Sequence, residues 1–207
     1  MGKKAEAKKE QILQSAKAVF GRLGYSKATL DDIAESIGMK KPSLYYYYES
    51  KELLFIEAFS QEWRESLSRI KRIADQEPNP HDRLLLYIRS SLRYYQEIVT
   101  QHTISIRVLI ETRVTFQELF RESRGKESNY YASVIKEGIS NGVFLPCEAE
   151  RVGYSIMVIK DLIQFEEFQR ADFHKLPFID FEKIERDVLF TICLMLNGIS
   201  REKYVDC

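Results

Sequence analysis

Lys40, Lys41, Pro42 and Ser43, followed by Tyr45, Tyr46 and Tyr47, form the densest run of partner-reading groups in this chain of 207 residues. An ammonium donates to a phosphate oxygen or a guanine edge, and a serine hydroxyl bonds to either. Tyrosine offers a ring to thymine methyls and a hydroxyl to phosphate. Stepped at about 100° per residue, Leu44 and Tyr48 share one face, Lys41, Pro42, Tyr45 and Tyr46 share the opposite one, and Ser43 and Tyr47 flank it. The same tyrosines also fit half-buried packing, and Tyr48 is assigned to the core. Other chemistries find less support. GxxxxGKS/T, HExxH, GxSxG and GxGxxG are all missing, and no nucleophile is matched to a base, so an enzyme is not expected. His81, His102 and His174 are scattered without ligand spacing, so neither a metal site nor a cofactor is expected.

Three short helices must position that run. Ile12, Leu13, Ala16, Val19, Phe20 and Leu23 make one helical stripe that stops at Gly24. Thr29 precedes Leu30, Ile33, Ala34 and Ile37, and with Asp32 it forms a candidate capping box for a second helix ending at Gly38. Pro42 suits the first turn of a third helix, read over 41–48. Two short helices joined by a glycine turn can lay the second one in a major groove. Longer helices are predicted over 51–75, 81–99, 116–141 and 148–170, and a last one follows Asp180 to the Asn197-Gly198 pair. The class is all-α, with about nine helices in two domains: 1–50, a helix-turn-helix domain, and 51–207, a larger helical domain.

Charge is unevenly spread. The chain carries 31 basic and 31 acidic residues, yet residues 1–51 hold ten of the former and six of the latter, an excess of four that the remainder cancels. That is the footprint of one domain neutralising phosphates. The lysines before residue 10 read as a solvated tail. Cys147, Cys193 and Cys207 have no CxxC spacing, and their odd number describes no disulfide framework, so a reducing cytoplasm is expected. The N-terminal stretch has no apolar core of a signal peptide, and no run reaches the ~18 apolar residues of a membrane span.

Taken together, the stretch 12–39, LYYYY over 44–48 and SKELL over 50–54 resemble the TetR family of bacterial transcriptional regulators. The shared pattern is helix, glycine, threonine cap, Ile-Ala pair, glycine turn, Leu-Tyr-x-x-aromatic and Ser-Lys-Glu-x-Leu. The resemblance implies a homodimer that binds double-stranded operator DNA, joined through a fourth helix beginning near Lys51 to a domain that dimerises and usually binds a small-molecule effector. Carried over by position, its DNA contacts fall on Thr29, Lys41, Pro42, Ser43, Tyr45, Tyr46, Tyr47 and Lys51, with Thr29, Tyr45 and Lys51 mainly on phosphates. Lys40 stands where many members have a Ser or Thr cap, which weakens the cap and offers a phosphate contact instead, and Pro42 stands where many have Gly.

In the larger domain Arg107, Phe116, Phe120, Tyr130, Tyr131, Phe165 and Phe168 are candidate lining for an apolar effector pocket, suited to an aromatic or lipophilic molecule. The same spacing also fits ordinary core. Val152, Ile156, Ile159 and Ile163, with Ile184, Val188, Ile192 and Met195, are too apolar for an isolated helix pair, and burial against a second copy is expected. The family resemblance implies repression as the commoner output, and the sequence itself does not choose between repression and activation. The alternative is a DNA-binding protein of the same fold with no effector and a structural or cell-cycle role.

Overall fold

The computed structural model describes residues 3–101, 106, 110, 121–176, 178–202 and 204. Among them eight helices run in chain order: α1 Lys3–Leu23, α2 Leu30–Ser36, α3 Lys41–Tyr45, α4 Lys51–Ala74, α5 Pro80–Gln101, α6 Arg121–Ser140, α7 Ala149–Phe173 and α8 Phe181–Ile199. The all-α class is as expected, and the one β-type pairing among the described residues is an isolated bridge between Phe144 and Ser200. No described helix is long and apolar enough to cross a membrane.

The predicted stops fall where the backbone needs them. Gly24, Gly38 and Gly142 all take positive φ, at 76°, 62° and 76°, a region that strains other L-residues. At α7 the same role falls to Lys175, with φ 51°. Two features depart from the sequence reading at the N-terminus. The basic stretch before residue 10 is the first turns of α1 from Lys3 onward, not a tail, and Lys9 pairs with Glu57 on α4 at 2.5 Å.

Compactness divides the chain into residues 1–65 with 97–119, and residues 66–96 with 120–207. The first of these units takes in the early turns of α4. Leu54, Phe55, Ala58 and Phe59 of α4 are buried with Ile12, Ala16 and Phe20 of α1. Phe55 meets Phe20 and Tyr25 edge to face, at centroid distances of 5.1 and 4.8 Å. Phe55 and Phe59 are two of the five buried aromatic residues described in 1–65.

In the second unit α6 and α7 pack closely through Gly153. A Cβ there would lie 2.8 Å from the backbone nitrogen of Ala132 and from the carbonyl oxygen of Ser128, both on α6. Helix backbones approach this closely only where no side chain intervenes. Farther along, the buried Lys160 of α7 pairs with Glu127 of α6, and Tyr131 donates its hydroxyl to that carboxylate at 2.6 Å. Burial and the Glu127 charge push the Tyr131 phenol far above its ordinary range. Glu167, also buried, is held by Arg170 at 2.7 Å and held below the usual carboxylate range, chiefly by that hydrogen bond. Of the cysteines, Cys147 is a free thiol and Cys193 is disulfide-bonded, a pairing that the odd cysteine count did not suggest.

Gly153→Ala is therefore expected to overpack the α6/α7 contact and destabilise the protein by about 1–3 kcal/mol, read as a lower urea midpoint. Gly21→Ala, which adds its methyl in open space within α1, is the control and should hold or raise the midpoint. Equal midpoints for the two variants would contradict the close helix approach.

Candidate nucleic-acid interface

The interface begins with two backbone devices on either side of α2. At its start the Thr29 hydroxyl donates to Asp32 Oδ2 at 2.6 Å and accepts from the Asp32 N–H at 3.1 Å, while the Thr29 N–H donates to the same carboxylate at 2.8 Å. This is the expected capping box. The Thr29 hydroxyl and backbone N–H hold the Asp32 carboxyl below its usual value. At the other end, the Gly38 N–H donates to Glu35 O at 3.0 Å and the Met39 N–H to Ala34 O at 2.8 Å. That pair closes α2 in a Schellman motif, which needs left-handed φ at Gly38 and sets the direction in which the chain leaves toward α3.

Helix α3 is shorter than the sequence suggested. It ends at Tyr45, because the Tyr47 and Tyr48 N–H groups both converge on Leu44 O, at 2.9 and 3.0 Å, and tighten the last turn. Lys40 occupies the N-cap position with no side-chain cap bond, as its departure from Ser or Thr implied, and Pro42 lies in the first turn. Leu44 and Tyr48 are buried. Lys40, Lys41, Pro42 and Ser43 are exposed, as are Tyr45 at 43% and Tyr46 at 86%. Tyr47 is half-buried, with its ring edge-on to Tyr46 at 5.5 Å. The two faces of the short helix thus divide as the sequence periodicity implied, leaving a basic and aromatic surface outward.

Two lysines are engaged in ways that the sequence did not foretell. Lys51 donates to Tyr25 O and Ala28 O, both at 3.0 Å, and its ammonium stands 4.6 Å from the Tyr25 ring centroid. Beside it, the Tyr25 hydroxyl donates to Glu52 at 3.0 Å. Lys51 therefore fastens the start of α4 to the loop before α2, a positioning task that its family-derived phosphate role did not include. Lys41 pairs with Asp31 of α2 at 2.6 Å and lies 5.8 Å from the Tyr45 ring. Its pKa is raised, chiefly by that hydrogen bond. Ten residues of separation across a turn hide Asp31 and Lys41 from each other in the sequence.

The second unit treats its candidate residues differently. Tyr130, Tyr131 and Phe168 are buried and Phe165 is half-buried. The Tyr130 hydroxyl donates to Asp75 at 2.9 Å, and the Tyr87 ring packs tilted against Tyr130 at 4.6 Å and edge-on to Tyr131 at 5.7 Å. Arg107, Phe116 and Phe120 lie outside the described residues. A surface groove between α5 and α8 contains three arginines, but Arg93 makes two 2.9 Å bonds to Glu185 and Arg89 approaches the same carboxylate at 3.4 Å.

The apolar face assigned to a second copy is split between the chain's core and its margin. Ile156 of α7 and Ile184, Val188 and Ile192 of α8 are buried in the chain's own core. Val152, Ile159, Ile163 and Met195 are half-buried at its margin. Part of the stripe thus fills this chain's interior, and part stays accessible at its margin. The exposed apolar residues of the same helices are Tyr154, Leu162, Phe190 and Leu194.

Comparison with known proteins agrees with this geometry. Residues 12–58 match the family model described as bacterial regulatory proteins, tetR family. The uncharacterized HTH-type transcriptional regulator YhgD of Bacillus subtilis is 24% identical over 163 residues, 77% of this chain and 83% of that protein. The biofilm operon icaADBC negative transcriptional regulator IcaR of Staphylococcus epidermidis is 45% identical over 47 residues, but these span only 23% of this chain and 25% of that protein. The crystal structure of a TetR-family transcriptional regulator from Pectobacterium atrosepticum matches with a TM-score of 0.72 at 16% identity, over 99% of this chain and 100% of that one; at this identity the likeness is one of fold.

The capping box generates a direct expectation. Thr29→Ala should lower the stability of the first unit by about 1 kcal/mol and weaken binding to a DNA duplex, since α2 then frays beside the turn that aims α3. Thermal melts and anisotropy on the same samples check this. Unchanged melting with unchanged binding would contradict the positioning role.

Proposed function

Since this chain belongs to the tetR family of bacterial regulatory proteins, we propose that it is a transcriptional repressor that binds operator DNA as a homodimer and is released by a small effector. One observation carries the DNA-binding part: α3 and the residues flanking it bury Leu44 and Tyr48 while turning Lys40, Lys41, Pro42, Ser43, Tyr45 and Tyr46 to solvent. A major groove admits such a helix, with lysine donating to guanine or phosphate and the tyrosine rings meeting thymine methyls.

The partner copy docks on α7 and α8 through Tyr154, Leu162, Phe190 and Leu194, large apolar side chains that a single copy leaves in water. Two-fold symmetry then calls for a pseudo-palindromic operator whose half-sites lie about 34–36 Å apart or slightly more. An aromatic or lipophilic effector enters the second unit among α5, α6 and α7, where Tyr87, Tyr130, Tyr131 and Phe168 supply apolar surface. Helix α4 contributes residues to both compact units and is the element whose shift alters the spacing of the two reading helices. Coupling is a population shift, limited by the difference in effector affinity between the DNA-competent and released states. The cytoplasm, where DNA is found, is the compartment this role requires.

The test is a Lys41→Ala, Tyr46→Ala double variant titrated against DNA flanking the protein's own gene, with competitor DNA present. Both residues are exposed, so circular dichroism should be unchanged while affinity for that DNA falls at least tenfold, a loss of about 1.4 kcal/mol. A folded variant that binds as tightly as the parent would contradict the assigned reading face.

A further inference from the structure

The Lys41 ammonium is committed before any DNA arrives. It donates to Asp31 Oδ2 at 2.6 Å, and both side chains stand about half-exposed, at 55% and 54%, on the side of the unit where α3 presents its outward face. Asp31 has no part in capping α2, because Thr29 and Asp32 complete that box between themselves. Lys40, next to it, has no side-chain cap bond and is exposed. Of the two adjacent lysines at the start of α3, one is neutralised locally and the other is not.

We propose that Asp31 is a specificity determinant of the DNA-reading face, which holds Lys41 back from the phosphate backbone and so penalises binding to sequences that offer no base-edge partner. This inference rests on the DNA-binding role stated above. A phosphate competes directly with the carboxylate for the ammonium, and if it wins it leaves Asp31 uncompensated beside a polyanion. A base pair offers better terms. Guanine O6 and N7 accept from lysine, and the cytosine amino group donates to aspartate, so a G·C step can satisfy both members of the pair. An exposed ion pair is weak enough to be exchanged in this way. The penalty therefore falls most heavily on contacts that are phosphate alone.

Asp31→Asn in the full chain tests this by anisotropy over a salt series, with a random-sequence duplex and with DNA flanking the gene. With Lys41 freed, binding to the random duplex should tighten severalfold and the slope of log affinity against log salt should steepen by about 0.9, the value of one added phosphate contact. The ratio between the two duplexes should fall. In a Lys41→Met background the same substitution should leave the slope as it was, and melting curves confirm that each variant is folded. An unchanged slope in Asp31→Asn, or an equal gain in the Lys41→Met background, would overturn the role of Asp31 while leaving DNA binding intact. A folded parent protein that binds neither duplex would instead overturn the DNA-binding role, and this inference with it.

Discussion

The burial of Leu44 is the constraint on which the reading face depends. Helix α3 has five residues and one buried side chain of its own, so it has no stability apart from the unit that holds it. Leu44 and, just beyond it, Tyr48 are inserted among the buried residues of the first unit, while the Schellman closure at Gly38 sets where α3 begins. Everything pointed at solvent follows from that anchoring. Lys41, Pro42, Tyr45 and Tyr46 face outward because the period of the helix leaves them nowhere else once Leu44 faces in.

Electrostatics then decides how this surface meets a polyanion. The whole chain has no net charge, so attraction must be local. Within the first unit the cations have different duties. Lys51 ties the start of α4 to two loop carbonyls, Lys9 pairs with Glu57, Lys41 is held by Asp31, and Lys40 stands exposed at the start of α3. A count of lysines therefore overstates the charge free to neutralise phosphates. Buried charge in the second unit serves packing instead: Lys160 with Glu127 of α6, and Glu167 with Lys183 of α8 at 3.6 Å, tie α7 to its neighbours, as paired buried ions can, while Arg170 holds Glu167 within α7.

Most of the fold was legible in the sequence where local chemistry decides it. Glycines with forced positive φ ended α1, α2 and α6, the Thr29–Asp32 box opened α2, and Asp180 caps α8 through the Lys183 N–H. The outward face of α3 followed from periodicity alone. What could not be read depends on which surfaces meet across the chain. The isoleucine stripe of α7 and α8 announces that one face is buried, but not whether the cover is this chain or another copy; Ile156, Ile184, Val188 and Ile192 are covered by this chain. Lys160 and Glu167 sit in a helix that reads as apolar, because each hides its charge against a partner distant in sequence or one turn away. The Lys41–Asp31 pair and the Lys51 clamp span ten and more than twenty residues, beyond the reach of any helical period. The early end of α3 is a bifurcated convergence on one carbonyl, which no residue preference encodes.

The most direct test of the account is a DNase I footprint of the purified protein on DNA flanking its own gene, with excess random-sequence competitor. The account predicts two protected half-sites related by a two-fold axis, with centres about one helical turn apart or slightly more. Protection of no particular sequence at any protein concentration, from a folded protein, would contradict it.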